Sequence, residues 1–214
     1  MFLVLTLKGL QNYLNQNKTV LLLGMNQGKY KAVFLDKDGT LVDNAGYPEI
    51  IPTDKLLTND VIEGLQYLQS KGYKLFIISN QSWISKRRLS KEQVEEVFQN
   101  LLAKLKSHKV IISGYYYCPH READHCYCRK PKTKLIVTAA REHSLHLQQS
   151  LFIGDMETDI AAGKNMSMKT VLVLTGKGKE YNSAIKPDFV IKNINHVKEV
   201  VENDQFKSKV QNPA

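Results

Sequence analysis

Cysteine is scarce in this chain of 214 residues: there are only three, and all lie between residues 118 and 128. So few cysteines, odd in number, argue against a framework of disulfides, and their clustering favours metal ligation in a reducing, cytoplasmic compartment. Long apolar runs are also lacking, and the apolar residues 1–7 carry neither the basic leader nor the cleavage site of a signal peptide. The sequence therefore predicts a cytoplasmic protein without a membrane partner.

Acidic residues are in the minority. The chain has 30 Lys and Arg against 21 Asp and Glu, which gives a formal net charge of +9. Such a balance suits an anionic partner, either a phosphorylated metabolite, a nucleic acid or an acidic surface. The basic residues form no dense run, and no basic groove with stacking aromatic residues is evident, so a nucleic-acid partner is not expected. We expect a monomer with one sizeable core that binds a small phosphorylated molecule.

The stretch 31–41, KAVFLDKDGTL, joins an apolar run to an acidic turn. The apolar run predicts a buried strand over 32–36, and Asp36 and Asp38 lie at its carboxyl end. Carboxylates two residues apart in extended chain lie on the same side, and Gly39 allows a sharp turn directly after them. An ordinary strand followed by an Asp-Gly turn is the alternative. The spacing favours a site that the two carboxylates share.

Strands and helices alternate along the chain from residue 31 onward. Apolar runs predict strands over 32–36, 74–79, 110–117, 151–153, 170–174 and 189–191. Helical patterns lie between them, over 58–71, from a capping box at 90–93, over 133–143 and up to about residue 165. This alternation predicts an α/β fold, a doubly wound parallel sheet flanked by helices, in one domain over 31–203. Residues 1–30 are an extension of uncertain role, in which Met25 is an alternative start, and 204–214 form a polar tail.

Polar clusters follow three of the predicted strands. They begin at Asp36, at Ser79 and at Gly154. Because the carboxyl ends of parallel strands meet at one edge of a sheet, we expect these clusters to form one site. The irregular stretch 42–57 is expected to form a minimal cap, a loop over that site.

The three cysteines belong to the pattern Cys118-x-His120-x5-Cys126-x-Cys128. Three thiolates and one imidazole make a closed tetrahedral set that suits structural zinc. His125, next to Cys126, could take the place of His120 as the fourth ligand. Buried free thiols with an incidental histidine are the remaining alternative. A structural zinc would order this zinc-binding loop and so place Arg129 and Lys130, which follow it, over a substrate.

The motifs D-x-D-G-T, S-N-Q-S, C-P-H…C-x-C-R-K-P and G-D-x-x-x-D together resemble one branch of the haloacid dehalogenase superfamily of phosphotransferases. That branch holds heptose 1,7-bisphosphate phosphatases and histidinol phosphatases, and the resemblance covers about residues 31–178. It implies that Asp36 attacks phosphorus to form an aspartyl-phosphate, while Asp38 acts as acid and then as base. It also implies that Ser79 and Lys130 hold the transferring phosphoryl group, and that His120 is the zinc ligand.

The same resemblance implies a catalytic Mg²⁺ and a set of substrate contacts. Mg²⁺ would be held by the carboxylates of Asp36 and Asp155 and by the Asp38 backbone carbonyl. Asp159 would be a weaker or indirect metal contact. Substrate would be bound by Asp43, Gly46, Tyr47, Asn80, Gln81, Ser82 and Arg129.

Signals that separate the two substrates point in both directions. The short zinc-binding loop, with five residues between His120 and Cys126, resembles the histidinol phosphatases. Gly46-Tyr47 and the segment 80–85 resemble the heptose enzymes. Histidinol phosphatases of this kind are also typically fused to a dehydratase domain, which is not expected here.

The balance favours removal of the 7-phosphate of D-glycero-D-manno-heptose 1,7-bisphosphate, in the synthesis of nucleotide-activated heptose for lipopolysaccharide. Arg129 and the basic residues 86–88 could hold the phosphate that is not cleaved. Trp83 stands where the family has glycine, and it could narrow the pocket. Histidinol phosphate is the main competing substrate. Two less favoured functions are a nucleic-acid 3′-phosphatase and a zinc-stabilised binding module without activity.

Overall fold

A computed structural model of the chain describes residues 28–43, 57 and 61–203. Within these residues the chain forms a six-stranded sheet in the order β3-β2-β1-β4-β5-β6, with every neighbouring pair parallel. The strands are β1 (Ala32–Leu35), β2 (Lys74–Asn80), β3 (Ile112–Cys118), β4 (Leu151–Gly154), β5 (Lys169–Val173) and β6 (Phe189–Ile191). The predicted doubly wound parallel sheet is confirmed.

Strand β1 is buried on both faces, as its run of four apolar residues requires. Successive side chains of a strand point to opposite faces. Val33 and Leu35 accordingly belong to one apolar cluster, and Ala32 and Phe34 to a second one on the other side of the sheet. A parallel sheet needs such cover on both faces, because its crossover helices lie on both.

Helices cover the two faces of the sheet. They are α1 (Ile62–Ser70), α2 (Lys91–Ser107), α3 (Lys134–His143), α4 (Glu157–Asn165) and α5 (Val197–Val201). The apolar side chains of α1, α2 and α5 pack in the cluster that contains Val33, and those of α3 and α4 in the cluster that contains Phe34. In the described part of the chain, no helix has both the length and the apolar character that crossing a membrane requires.

The capping box predicted at the start of α2 is present. Ser90 Oγ accepts from the backbone N–H of Gln93 at 3.2 Å, and Gln93 Oε1 accepts from the backbone N–H of Ser90 at 2.8 Å. Two backbone donors that the first turn of a helix leaves unpaired are thereby satisfied.

The ends of α1 and α2 explain one correct and one wrong prediction. Gly72, predicted to stop α1, has φ +80 and donates its N–H to Gln69 O. Lys109 does the same after α2 with φ +61, and the Val110 N–H then bonds to Leu105 O. Val110 is therefore the apolar contact that closes a helix end, not the first residue of a strand, and β3 begins two residues later than predicted.

The start of α1 predicted at residue 58 lies outside the described residues, as do the tail 204–214 and all of the extension except residues 28–30. The organisation predicted for these segments stays a prediction.

The order of the strands places a topological switch point between β1 and β4. From β1 the chain moves outward through β2 and β3, and it then returns to β4 and moves outward through β5 and β6. The Asp36 N–H continues the β1–β4 ladder by bonding to Ile153 O at 3.0 Å. Open α/β sheets bind their ligands in the crevice beyond the strand ends at such a point.

Candidate active site

A cavity of about 380 Å³ opens at this switch point. It is lined by Asp36, Asp38, Asn80, Ser82, Trp83, Lys130, Met156, Thr158, Asp159 and Lys177. Asp36 and Asp38 face the same cavity, as their spacing predicts. Segments after β1, β2 and β4 meet here, together with the loop before α3.

Glycines let two loops close around one carboxylate. Gly39 has φ +88, and a Cβ at this position would lie 2.3 Å from Asp155 Oδ2. A Cβ on Gly176, which has φ +49, would lie 2.2 Å from the same oxygen. Thr175 Oγ donates to Gly39 O at 2.7 Å, so the loop after β5 is bonded to the turn after β1. Side chains larger than hydrogen at either glycine would displace Asp155.

Asp155 is buried and held in one orientation. Its Oδ2 accepts from the Lys177 N–H at 2.8 Å, and its Oδ1 lies 3.5 Å from the Thr40 hydroxyl that donates to it. Burial raises the pKa of Asp155 to about 6, and the nearby Asp36 carboxylate acts in the same direction. The protein therefore brings a carboxylate to a place where its ionised form needs a positive partner.

Lys130 and Asp159 form a buried ion pair in the site. The Lys130 ammonium lies 2.5 Å from Asp36 Oδ1 and 2.7 Å from Asp159 Oδ1, and it donates to Ile78 O at 2.7 Å. Burial alone would lower the pKa of Lys130, but the carboxylates of Asp159 and Asp36 outweigh it and raise the pKa. The two carboxylates therefore favour the charged form of the lysine.

Asp36 combines burial with negative neighbours. Burial raises the pKa of Asp36, the Lys130 ammonium opposes that rise, and the carboxylates of Asp159 and Asp38 add to it. The three buried carboxylates Asp36, Asp155 and Asp159 bring oxygen atoms within 4.8 Å of one another, and the Lys130 ammonium pairs with two of them. The excess of negative charge suits a bound cation.

Ser79 and Gln81 are buried behind the residues that line the cavity. Ser79 is at the end of β2 and is buried. Gln81 is 0% exposed, and its side-chain amide donates to Ser79 Oγ at 2.8 Å and to Asp38 Oδ2 at 2.7 Å. Neither residue is among those that line the cavity.

Asn80 ties Lys130 to the sheet. Its side-chain Oδ1 accepts from the Lys130 N–H at 3.0 Å, and its Nδ2 donates to Lys130 O at 3.3 Å. The next residue, Gln81, donates its backbone N–H to Cys118 O at 2.7 Å. The end of β2 is thus bonded to both ends of the segment that holds the three cysteines.

The cysteines and one histidine converge as a metal-binding group. The Sγ atoms of Cys118, Cys126 and Cys128 lie 3.2 to 3.6 Å apart. His120 Nδ1 lies 3.6 Å from Cys118 Sγ and 3.3 Å from Cys128 Sγ. Tetrahedral zinc with Zn–S bonds of about 2.3 Å separates its ligand atoms by roughly 3.5–4 Å, so the group has the size that zinc requires.

The chemistry of the group also fits zinc, which binds thiolates. Burial alone would raise the pKa of Cys126, but hydrogen bonds from the backbone of Arg129 and Cys128 lower it to about 6. Burial raises the pKa values of the Cys118 and Cys128 thiols, so their thiolate forms need a positive partner such as zinc. His125 does not belong to the group, and the sequence-based choice of His120 agrees with this arrangement. Zinc at this position stays a prediction that the geometry favours.

Comparison with known proteins decides the family. The profile of the HAD-hydrolase-like family matches residues 127–197. The D-glycero-β-D-manno-heptose-1,7-bisphosphate 7-phosphatase of Helicobacter pylori is 39% identical over 145 residues, which make up 67% of this chain and 83% of that enzyme. This chain belongs to the haloacid dehalogenase superfamily, in its heptose bisphosphate phosphatase branch.

Two further relatives of this superfamily help to place the chain. The crystal structure of D,D-heptose 1,7-bisphosphate phosphatase from B. bronchiseptica, complexed with magnesium and phosphate, shares the fold with a TM-score of 0.72 at 20% identity; the match covers 80% of this chain and 97% of that one. The bifunctional histidine biosynthesis protein HisB of Legionella pneumophila is 33% identical over 139 residues, 64% of this chain but only 40% of that protein.

Phosphatases of the haloacid dehalogenase superfamily depend on Mg²⁺, and the acidic group fits such an ion. Asp36, Asp155 and Asp159 offer only oxygen atoms, which are the ligands of hard cations. The excess of buried negative charge over the Lys130 ammonium gives an independent reason for a cation here.

The residues predicted to contact substrate either line the cavity, lie elsewhere in the described structure, or lie outside the described residues. Asn80 and Ser82 line the cavity, whereas Gln81 lies beneath it. Arg129 does not line the cavity, and its guanidinium donates to His120 O at 3.4 Å. Asp43 is exposed at the end of the first described segment. Gly46 and Tyr47 lie outside the described residues, so their contact with substrate stays a prediction, as it does for the others.

Sequence reasoning missed several residues of the site. Met156, Thr158 and Lys177 line the cavity, and Gly176 closes against Asp155. The segment 175–178, Thr-Gly-Lys-Gly, directly follows β5 at the same edge of the sheet as the other clusters. The rule that found the other three strand ends would have identified this loop as well.

Proposed function

We propose that this chain is a Mg²⁺-dependent phosphatase that removes the 7-phosphate of D-glycero-D-manno-heptose 1,7-bisphosphate. The product would serve the synthesis of nucleotide-activated heptose for lipopolysaccharide. The observation that carries the proposal is the ion-pair cluster at the switch point, where the Lys130 ammonium lies 2.5 Å from Asp36. The heptose bisphosphate phosphatases of H. pylori and B. bronchiseptica support the choice of substrate.

Asp36 is the nucleophile of the proposed reaction. One of its carboxylate oxygens forms a bond to phosphorus while the bond between phosphorus and the sugar oxygen breaks, which leaves an aspartyl-phosphate. Attack requires the ionised carboxylate, which burial disfavours and the Lys130 ammonium favours. Bound Mg²⁺, held by Asp36, Asp155 and the Asp38 carbonyl, would supply the positive charge that the ionised carboxylate and the phosphate need.

Asp38 is the proposed acid and base. In the first step it gives a proton to the departing sugar oxygen, and in the second it takes a proton from the water that hydrolyses the aspartyl-phosphate. It lies in the same cavity as Asp36 with its side chain 21% exposed, so it can reach both groups. Ser79 and Lys130 would donate hydrogen bonds to the phosphoryl oxygens.

Asp159 has a distinct part in this proposal. Its Oδ1 lies 2.7 Å from the Lys130 ammonium, and its Oδ2 accepts from the Met156 N–H at 3.0 Å. It thus holds Lys130 in place and leaves Asp36 and Asp155 to the metal ion. This agrees with the weaker metal contact that the sequence predicts for Asp159.

Basic groups at the mouth of the cavity would hold the phosphate that remains on the sugar. Lys177 lines the cavity, and so does Trp83. Lys86 Nζ lies 5.0 Å and the Arg88 guanidinium 5.8 Å from the centre of the Trp83 ring. A bisphosphate carries a second anionic group for these cations, which histidinol phosphate lacks.

The Cys118–Cys128 group would bind a structural zinc. Its four ligands leave no open position for chemistry. Its effect on the reaction would be indirect, because Arg129 and Lys130 directly follow Cys128 in the chain.

The proposal is tested by the ratio of kcat/KM for heptose 1,7-bisphosphate and for histidinol phosphate, with and without Mg²⁺. We expect the heptose substrate to be favoured by at least about tenfold, or about 1.4 kcal/mol of transition-state binding. ³¹P NMR of the product should show that the 1-phosphate remains. A tenfold preference for histidinol phosphate, activity only on DNA 3′-phosphates, or no phosphate release from any of these would each overturn the assignment.

A further inference from the structure

Gln81 occupies an unusual place for a residue of a substrate-binding segment. Its side chain is 0% exposed, and it does not line the cavity. Its backbone N–H is bonded to Cys118 O at 2.7 Å, which fixes the residue against the start of the zinc-binding loop. The observed side-chain contacts of Gln81 are with Asp38 and Ser79, and not with the open space of the cavity.

The Gln81 amide joins two groups of the proposed reaction. Nε2 donates to Asp38 Oδ2 at 2.7 Å and to Ser79 Oγ at 2.8 Å. One amide nitrogen thus sets the distance between the acid that protonates the sugar oxygen and the hydroxyl that binds the phosphoryl group.

The other oxygen of Asp38 is also held from below. The ammonium of Lys37 forms an ion pair with Asp38 Oδ1. Lys37 itself is buried, with its ammonium 5.8 Å from the centre of the Phe98 ring of α2. Both carboxylate oxygens of Asp38 therefore have a partner. Lys37, from the end of β1, pairs with Oδ1, and Gln81, from the end of β2, donates to Oδ2.

We propose that Gln81 is a positioning residue, which holds the Asp38 carboxyl group in the orientation from which it protonates the leaving oxygen. This inference rests on the proposed role of Asp38. General acids act only from within hydrogen-bonding reach of the reacting atom, and small displacements of catalytic groups cost up to about 100-fold in rate.

The inference predicts an effect that depends on the leaving group. The constant kcat/KM covers the steps up to departure of the alcohol, which is the step that Asp38 assists. Phenol leaves poorly without a proton, whereas p-nitrophenol leaves readily as its anion. Misplacing Asp38 should therefore slow the hydrolysis of phenyl phosphate far more than that of p-nitrophenyl phosphate.

The test is the variant Gln81→Met, which keeps the length of the side chain and removes both donated hydrogen bonds. We expect kcat/KM to fall by about 30-fold for phenyl phosphate and for heptose bisphosphate, but by less than about threefold for p-nitrophenyl phosphate. The matched control is Gln66→Met, since Gln66 is an exposed residue of α1 that donates to His108 O. The control should retain kcat/KM for all three substrates.

An equal loss for all leaving groups, or no loss, would overturn the positioning role. Circular dichroism and the unfolding temperature check that the variant is folded. Gln81→Leu, which also lacks the amide donor, repeats the test if the methionine variant does not fold, and the same dependence on the leaving group is expected. The aryl phosphates separate the two proposals, because a wild-type enzyme that cleaves them but not heptose bisphosphate would refute only the substrate assignment.

Discussion

At the scale of single residues, Asp36 is the group whose environment and proposed task conflict most. A nucleophile must be ionised, yet burial raises the pKa of Asp36 and two neighbouring carboxylates act in the same direction. Lys130 offsets part of this effect at a distance of 2.5 Å. The remaining deficit of positive charge is a reason for the proposed metal ion to bind at this carboxylate.

Replacing Asp36 by Asn should abolish turnover, because an amide cannot attack phosphorus. We expect kcat to fall by more than about 1,000-fold while the protein stays folded. The assay needs protein whose mass is confirmed, since deamidation would restore Asp. Asp124→Asn is the matched control, because Asp124 pairs with the exposed Arg121 in the zinc-binding loop and should keep wild-type activity. Wild-type turnover by a verified Asp36→Asn preparation would refute the mechanism.

Stabilisation by Mg²⁺ should depend on pH. The pKa values of the buried carboxyl groups Asp36, Asp155 and Asp159 are raised, to about 6 for Asp155. These groups therefore bind protons more tightly in the metal-free folded state than in the unfolded chain. Metal-free protein therefore loses stability as the pH rises through about 6, because the buried carboxylates then ionise without a partner. Mg²⁺ competes with these protons, so its affinity rises over the same range.

The measurement is the shift in Tm on adding Mg²⁺, taken between pH 5.5 and pH 7.5. We expect the shift to grow as the pH rises through about 6 and to level off above that pH, because Mg²⁺ binding stabilises the folded state and protons no longer compete with it there. Asp155→Asn should remove most of the shift. A shift that does not change with pH would show that these carboxylates do not hold the ion.

Part of the site could be read from single residues, and part could not. Asp36 and Asp38 were predictable, because their spacing after an apolar run requires only local geometry. The contact of the buried Gln81 with Asp38 is not local, because Asp38 lies 43 residues away at the end of the neighbouring strand β1. No local pattern of residues contains that information.

At the scale of elements, the loop after β5 packs against Asp155 of the proposed metal site. Gly176→Ala would place a Cβ 2.2 Å from Asp155 Oδ2 and so push the carboxylate away. We expect the Mg²⁺ concentration for half-maximal activity to rise by at least about tenfold, or about 1.4 kcal/mol. Gly72→Ala is the matched control: Gly72 has φ +80, but a Cβ there would meet only Lys31 Cε, at 3.9 Å.

The control should lose about 1 kcal/mol of stability from backbone strain and keep the Mg²⁺ requirement of the wild type. Equal effects of the two substitutions on Mg²⁺ activation would mean that strain, and not the contact with Asp155, is responsible.

The zinc-binding loop is the second element with a test of its own. We expect one zinc per chain after dialysis, separate from exchangeable Mg²⁺, and its loss in Cys126→Ser. A loss of about 3 kcal/mol of stability corresponds to a fall in Tm of roughly 6–12 °C for a chain of this size. His125→Ala is the control, because His125 lies outside the ligand group and should leave the zinc in place. A fully active protein free of zinc would contradict the assignment.

Element types were easier to predict than element bounds. The capping box at Ser90 located the start of α2, since cap and helix are neighbours in sequence. The end of α2 misled the strand prediction, because Val110 is apolar in order to close the helix and not in order to join the sheet. An apolar residue has the same letter in both roles, and only the left-handed turn at Lys109 separates them.

At the scale of the whole molecule, the alternation of strands and helices was sufficient to predict the doubly wound parallel sheet. The resemblance of four motifs was sufficient to predict the superfamily. The cap predicted over 42–57 lies almost wholly outside the described residues, and so do Gly46 and Tyr47, so their part in substrate choice stays a prediction. The contacts of Lys86 and Arg88 with the Trp83 ring could not be predicted from the sequence, because they form only when this turn has folded.

The strand order has a consequence for how the chain folds while the ribosome synthesises it. Asp36 and Asp38 emerge with the first third of the chain, but Lys130 follows 94 residues after Asp36, and Asp155 and Asp159 come later still. Strand β4, the inner neighbour of β1, also belongs to the later half. A nascent chain that has completed β1, β2 and β3 therefore exposes one side of its central strand. It carries the proposed nucleophile with neither its lysine nor the rest of the proposed metal site, so catalytic competence requires that the chain has been synthesised at least as far as Asp159.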